Sequence, residues 1–283
     1  MRAERITGRV AYHGEGAFWD DRDDRLRFVD MLAGAVVTLL PTGTVSRRQV
    51  GEVAAVIRHR SGGGYVVAGA RDILLLDADW GPERSIPVLD DPAMRLNEGG
   101  CDAAGRFYIG SMAYDMTAGA GTLYRLDPNG RLGTALTTVT IPNGLVWSAD
   151  GARAFHNDTA AATITAYDAD PDGRLLDPRV LVRFEPGGAA PDGMAIDADG
   201  GLWVALWGGA RVHRYSPDGI LDEVVDVPGA HHVTSCAFGG DDRRTLFITT
   251  SVEGIEPAAR GAGGSLFAVD LAVAGAPVHA YAG

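Results

Sequence analysis

The sequence repeats itself. One hairpin pattern, an apolar strand, an acidic or glycine turn and a second apolar strand, occurs around Asp24 (AFWDDRDDRLRFVD), Gly63 (AVIRHRSGGGYVVAG), Gly105 (GGCDAAGRFYIGS), Gly151 (GLVWSADGARAFHND), Gly200 (GMAIDADGGLWVAL) and Asp242 (CAFGGDDRRTLFITT). Successive centres lie 39, 42, 46, 49 and 42 residues apart. A second hairpin follows each: AVVTLLPTGTV, DILLLDADWG, TLYRLDPNGRL, TITAYDADPDGRL, RVHRYSPDGIL and SLFAVDLAVAG. Two hairpins make four strands, and a four-stranded unit of this length is a propeller blade. Helical periodicity is scarce. The expected fold is therefore all-β, a six-bladed β-propeller with four antiparallel strands per blade.

A blade cannot bury both of its faces alone, so residues 1–283 are expected to form one propeller domain rather than two separate units. The segment Arg5 to Val10 is expected to complete the last blade around Ser265 to Asp270, because closing the ring removes an exposed sheet edge. Aspartate and the 39 glycines supply the turns that so many short strands need.

Charge and composition remove several functions. Thirty-seven acids against 25 bases give a net charge of −12, a field that repels nucleic-acid backbones and anionic membranes. All 25 bases are arginine, which excludes a Schiff-base or P-loop lysine. Cys101 and Cys236 are read as two unrelated core thiols, with no spacing that suggests zinc. The leading MRAERITGRV lacks the apolar run of a signal peptide and no stretch is long enough to span a bilayer, so the expected location is cytoplasmic. No Gly-x-Ser-x-Gly or His-Glu-x-x-His motif is present to support a serine-hydrolase or zincin reading. Oligomeric state is not legible in the sequence.

In a propeller, residues placed just before the innermost strand of each blade converge at one mouth of the central channel. Four blades carry polar residues there: His13-Gly14-Glu15-Gly16, Arg95-Leu96-Asn97-Glu98-Gly99, Pro142-Asn143-Gly144 and Pro191-Asp192-Gly193. Any one Asn-Gly or Asp-Gly could be an ordinary turn. Four in blade register favour convergence, because separate Asp-Gly and Asn-Gly segments already supply the hairpin turns. Carboxylate and amide oxygens without thiols form a hard donor set, suited to calcium, magnesium or manganese. One divalent cation is expected, calcium first, with zinc and iron also admitted. No histidine occupies the equivalent position, and His231-His232 reads as a loop or a supporting pair.

The blocks YHGEGAFWD, RLNEGGCDAAGRFYIGSM, IPNGLVWSADG, PDGMAIDADGGLWVALWGGARVHRYSPDG and TSCAFGGDDRRTLFITT, in this order, resemble the senescence marker protein (regucalcin)/gluconolactonase family, also called luciferin-regenerating-enzyme-like. The resemblance implies a six-bladed propeller with one channel cation and, in many members, hydrolysis of sugar lactones. It implies that Glu15, Asn143 and Asp192 bind the metal, and that Arg95, Asn97 and Asp115 contact substrate. Three positions depart from the family pattern: Glu98 stands where Asp is usual, Ser111 where Thr is usual, and Asp115 where Glu is frequent. The expected reaction is opening of a lactone ring by water, with Asp192 as general base beside a cation that polarises the carbonyl. Two alternatives stay open: phosphotriester or aryl-ester hydrolysis at the same cation, and a non-catalytic calcium-binding regulatory propeller.

Overall fold

The computed structural model describes residues 1–283 and contains six four-stranded antiparallel sheets. The first strands of the six sheets are Gly14–Asp20, Val56–His59, Met94–Cys101, Pro142–Trp147, Ala190–Ile196 and His232–Gly239. Each packs against the first strand of the sheets before and after it, and the last returns to the first. This is a closed ring whose innermost strands surround a channel. There is no α-helix, only three-residue 3-10 turns at Met31–Ala33 and Pro257–Ala259.

The sixth sheet is completed by the start of the chain. Glu4–Arg9 pairs antiparallel with Ser265–Asp270, one residue earlier than the expected Arg5 to Val10. The segment after Asp270, read above as the return arm of a hairpin, is therefore not a strand of this sheet. It instead runs under the ring, bridging Gly275 to Asp197 and Tyr281 to Arg60.

Adjacent sheets bury their apolar faces on one another, and the largest core cluster takes Phe18 and Val29 from the first sheet, Val66 and Ile73 from the second, and Phe107 and Leu126 from the third. The aspartate excess also has a structural place. Asp102 and Asp197 close hairpin turns by accepting backbone N–H bonds from Ala104 and Arg106, and from Asp199 and Gly201. The second oxygen of Asp197 then binds Trp203 Nε1 at 2.9 Å and Arg214 Nε at 2.7 Å, fixing the turn to the sheet behind it. Cys101 and Cys236 are buried free thiols, as expected.

Candidate active site

The residues in blade register do not sit in turns. They lie inside the inner strands, at β-bulges between Glu15 and Phe18, Leu96 and Gly99, Pro142 and Leu145, and Pro191 and Met194. At such a bulge two residues oppose one, which breaks the alternation of faces and re-aims a side chain. Glycine follows for a packing reason. A Cβ on Gly144 would lie 2.5 Å from Met194 Cβ, and one on Gly193 would lie 2.7 Å from Ser235 Oγ, because the next blade's inner strand presses on the bulge. Gly144→Ala is expected to cost about 1–3 kcal/mol through overpacking, read as a lower urea midpoint at unchanged slope.

Glu15, Arg95, Asn97, Asn143 and Asp192 line one cavity of about 530 Å³ at a mouth of the channel. His13, Thr159, Trp207 and Glu253 add polar and aromatic wall, and Leu32, Met112, Tyr114, Met116 and Ile141 supply apolar wall. Asn143 donates from Nδ2 to Thr159 Oγ1 at 2.8 Å, and its carbonyl oxygen, which accepts from Asn97 Nδ2 only at 3.5 Å, keeps a lone pair for the cavity. Asn97 donates to Pro142 O at 2.8 Å and accepts from Arg95 Nη1 at 2.6 Å. Only Nη1 of Arg95 is engaged by the protein, by Asn97, Leu96 O and Met31 Sδ.

The carboxylates are under electrostatic stress. Burial pushes the Asp192 carboxyl well above its usual range, with the nearby Glu98 adding to the shift and the Gly193 N–H opposing it. Glu15 is likewise raised by burial, then by Asp192 and Glu98. Ligand atoms of Glu15, Glu98 and Asp192 lie within 4.8 Å of one another, and Asp192 Oδ1 and Glu98 Oε2 have no hydrogen-bond partner. Buried oxygens left unpaired among like charges fit a divalent cation, which supplies the missing partner and favours the ionised forms.

Residues 13–252 match the SMP-30/Gluconolactonase/LRE-like region. The chain belongs to this family. Regucalcin of Danio rerio is 33% identical over 283 aligned residues, covering 95% of each chain. The 6-deoxy-6-sulfogluconolactonase of Pseudomonas putida is 37% identical over 247 residues, covering 85% of this chain and 84% of that one. A solved structure of luciferin-regenerating enzyme superposes with a TM-score of 0.85 at 27% identity, covering 99% of this chain and 97% of that one.

Of the six site residues implied by the family resemblance, Asp115 is the one the structure does not bring to the cavity. Its side chain is exposed, and Oδ1 accepts from the Thr117 N–H at 2.9 Å and Thr117 Oγ1 at 2.7 Å. The short side chain closes its own turn, and the flanking Tyr114 and Met116 face the cavity instead. With its carboxylate engaged by Thr117 and outside the cavity wall, Asp115→Ala is expected to change kcat/KM by less than about twofold on hydroxylated and unsubstituted lactones alike. A selective loss on the hydroxylated substrate would restore the contact.

Sequence reasoning passed over the rim. His13 Nδ1 lies 2.8 Å from Ser251 Oγ and 3.3 Å from Glu253 Oε2. Burial, then Arg95 and His232, lowers its pKa to about 3, so the imidazole is neutral at pH 7 and its approach to Glu253 is not an ion pair. Trp207 stacks on His232 at 3.7 Å and meets His13 edge-on. The blade register marked Glu15, and His13 two residues before it could have been found by the same signal. Trp207 ends the second strand of its blade and Glu253 lies two residues beyond the second strand of its own, positions outside the register that marks Glu15.

Proposed function

We propose that the protein is a divalent-cation-dependent hydrolase that opens the ester ring of a sugar lactone. The observation that carries the reading is the convergence of Glu15, Asn143 and Asp192 with Arg95 and Asn97 on one cavity of small-molecule size. Relatives named as lactonases support the reaction class, the Pseudomonas putida 6-deoxy-6-sulfogluconolactonase among them. Glu15, Asn143 and Asp192 would hold the cation, calcium first, through carboxylate and amide oxygens. When bound, the cation supplies Lewis-acid polarisation of the lactone carbonyl and positive charge that keeps the carboxylates ionised.

The chain's own residues do the rest. Asp192 accepts the proton from the attacking water as its oxygen bonds to the carbonyl carbon, then returns that proton to the ring oxygen as the ring C–O bond breaks. Asn97 and Leu96 O fix the Arg95 guanidinium by one nitrogen, leaving its other N–H groups to donate to substrate oxygens. Trp207 and the Tyr114–Met116 edge cover the apolar face of a sugar ring, while Glu253 is placed to accept from a hydroxyl.

A pH-indicator assay tests the reading, with five- and six-membered aldonolactones, an aryl ester and a phosphotriester, each with added calcium, manganese or zinc and after chelation. Turnover of aldonolactones that chelation removes and added cation restores is the expected result. Full activity in the chelated protein overturns the mechanism, and preference for the phosphotriester or aryl ester overturns the substrate class. Cation binding without turnover of any substrate favours a non-catalytic binding role.

A further inference from the structure

We infer that Glu98 is a third carboxylate ligand of the channel cation, joining Glu15, Asn143 and Asp192. The inference rests on the cation reading above and concerns what is particular to the third blade. In the fourth and fifth blades the bulge pairs are Asn143-Gly144 and Asp192-Gly193, so each sends one side chain inward and has glycine where the next blade presses. In the third blade the pair between Leu96 and Gly99 is Asn97-Glu98, opposite Gly110, and the glycine comes one residue later. This bulge alone among the three carries two functional side chains.

Position and partners both point to the ion. Glu98 is 3% exposed, its ligand oxygen lies within 4.8 Å of those of Glu15 and Asp192, and Oε2 has no protein partner. A buried carboxyl with an unpaired oxygen costs free energy unless something else supplies the bond. Arg58 does not supply it. Its guanidinium donates to Gly16 O, Ile57 O and Gly99 O, and reaches Glu98 only as a nearby charge.

Terbium(III) and calcium binding test this without reference to activity. Luminescence lifetimes of bound terbium in H2O and D2O count the waters on the ion, and calorimetry gives the calcium Kd. Glu98→Leu is expected to add at least one bound water and to raise the calcium Kd by at least about tenfold. In chelator the same variant should melt no lower than the parent, because it loses a buried carboxyl that had no partner. Glu98→Asp, one methylene shorter, keeps the charge and serves if the leucine variant does not fold. It should also gain a water and bind calcium more weakly, whereas a carboxylate acting only as a distant charge would leave the water count and Kd as they were. Unchanged water count and Kd in the folded variant overturn the assignment. If Asp192→Asn loses cation binding while Glu98→Leu and Glu98→Asp keep it, only this inference fails. If the parent binds neither ion, the cation reading fails with it.

Discussion

Asp192→Asn is expected to lower kcat for aldonolactone hydrolysis by about 10²–10⁴-fold, the range typical of losing a positioned general base. Asparagine keeps the shape and one oxygen donor but cannot take a proton. The substitution should therefore separate base from ligand better than alanine would. The site gives it room to do so: the Asp192 backbone is fixed by the Asn157 Nδ2 bond to its carbonyl at 2.6 Å, and the bulge is set by Gly193, so neither depends on the carboxylate. Assays at saturating cation and lactone decide the case. A fall in kcat that persists when calcium is raised far above its Kd assigns the proton transfer to Asp192. Recovery of kcat at high calcium would show that the residue matters only for holding the ion, and a different base would have to be sought among Glu98, Glu15 and Glu253.

The fold was legible because its signal is additive. Six similar hairpin pairs with acidic or glycine turns leave few architectures, and the chain's one topological departure, the sixth blade closed by Glu4–Arg9, follows from the same need to bury an edge. The location of Glu15, Asn97, Asn143 and Asp192 was also legible, since equivalent blade positions converge in any closed ring. Their local geometry was not. Asn143-Gly144 and Asp192-Gly193 look like turns because the same dipeptides suit turns and bulges, and only the pressure of Met194 and Ser235 on the glycines distinguishes the two. Asp115 lies off the cavity wall for a related reason. A short acid two residues before a threonine can close its own turn, and sequence register with a longer glutamate says nothing about that competing bond. Glu98 was visible as a departure from a family pattern, but its burial against Glu15 and Asp192 depends on two successive side chains turning inward at one bulge, which alternation would forbid.

His156 is expected to withdraw about 3 kcal/mol of stability as pH falls from about 7.5 to 4, while the salt-bridged acids are still ionised. His156 lies in the strand Arg153–Asp158, opposite Leu145 and Thr165, 2% exposed, with Nε2 unpartnered. Burial lowers its pKa from 6.5 to about 4, against a weaker opposing effect of Asp158. The sign follows from proton uptake. Between those two values the unfolded chain binds a proton at this residue and the folded chain does not, so stability is full above the unfolded pKa and falls as pH drops toward the folded one. Salt-bridged acids such as Asp20, whose pKa is held below its ordinary 3.8 by Arg22 and Arg27 despite burial, lose their contribution only at lower pH. The two windows are therefore separable. Urea unfolding of the parent and of His156→Leu across this range isolates the histidine, since leucine binds no proton and no hydrogen bond to Nε2 is given up. The variant's stability should fall less steeply than the parent's from about pH 6.5 downward, and parallel profiles would show that His156 either protonates freely in the folded protein or is held by a partner that the packing does not reveal.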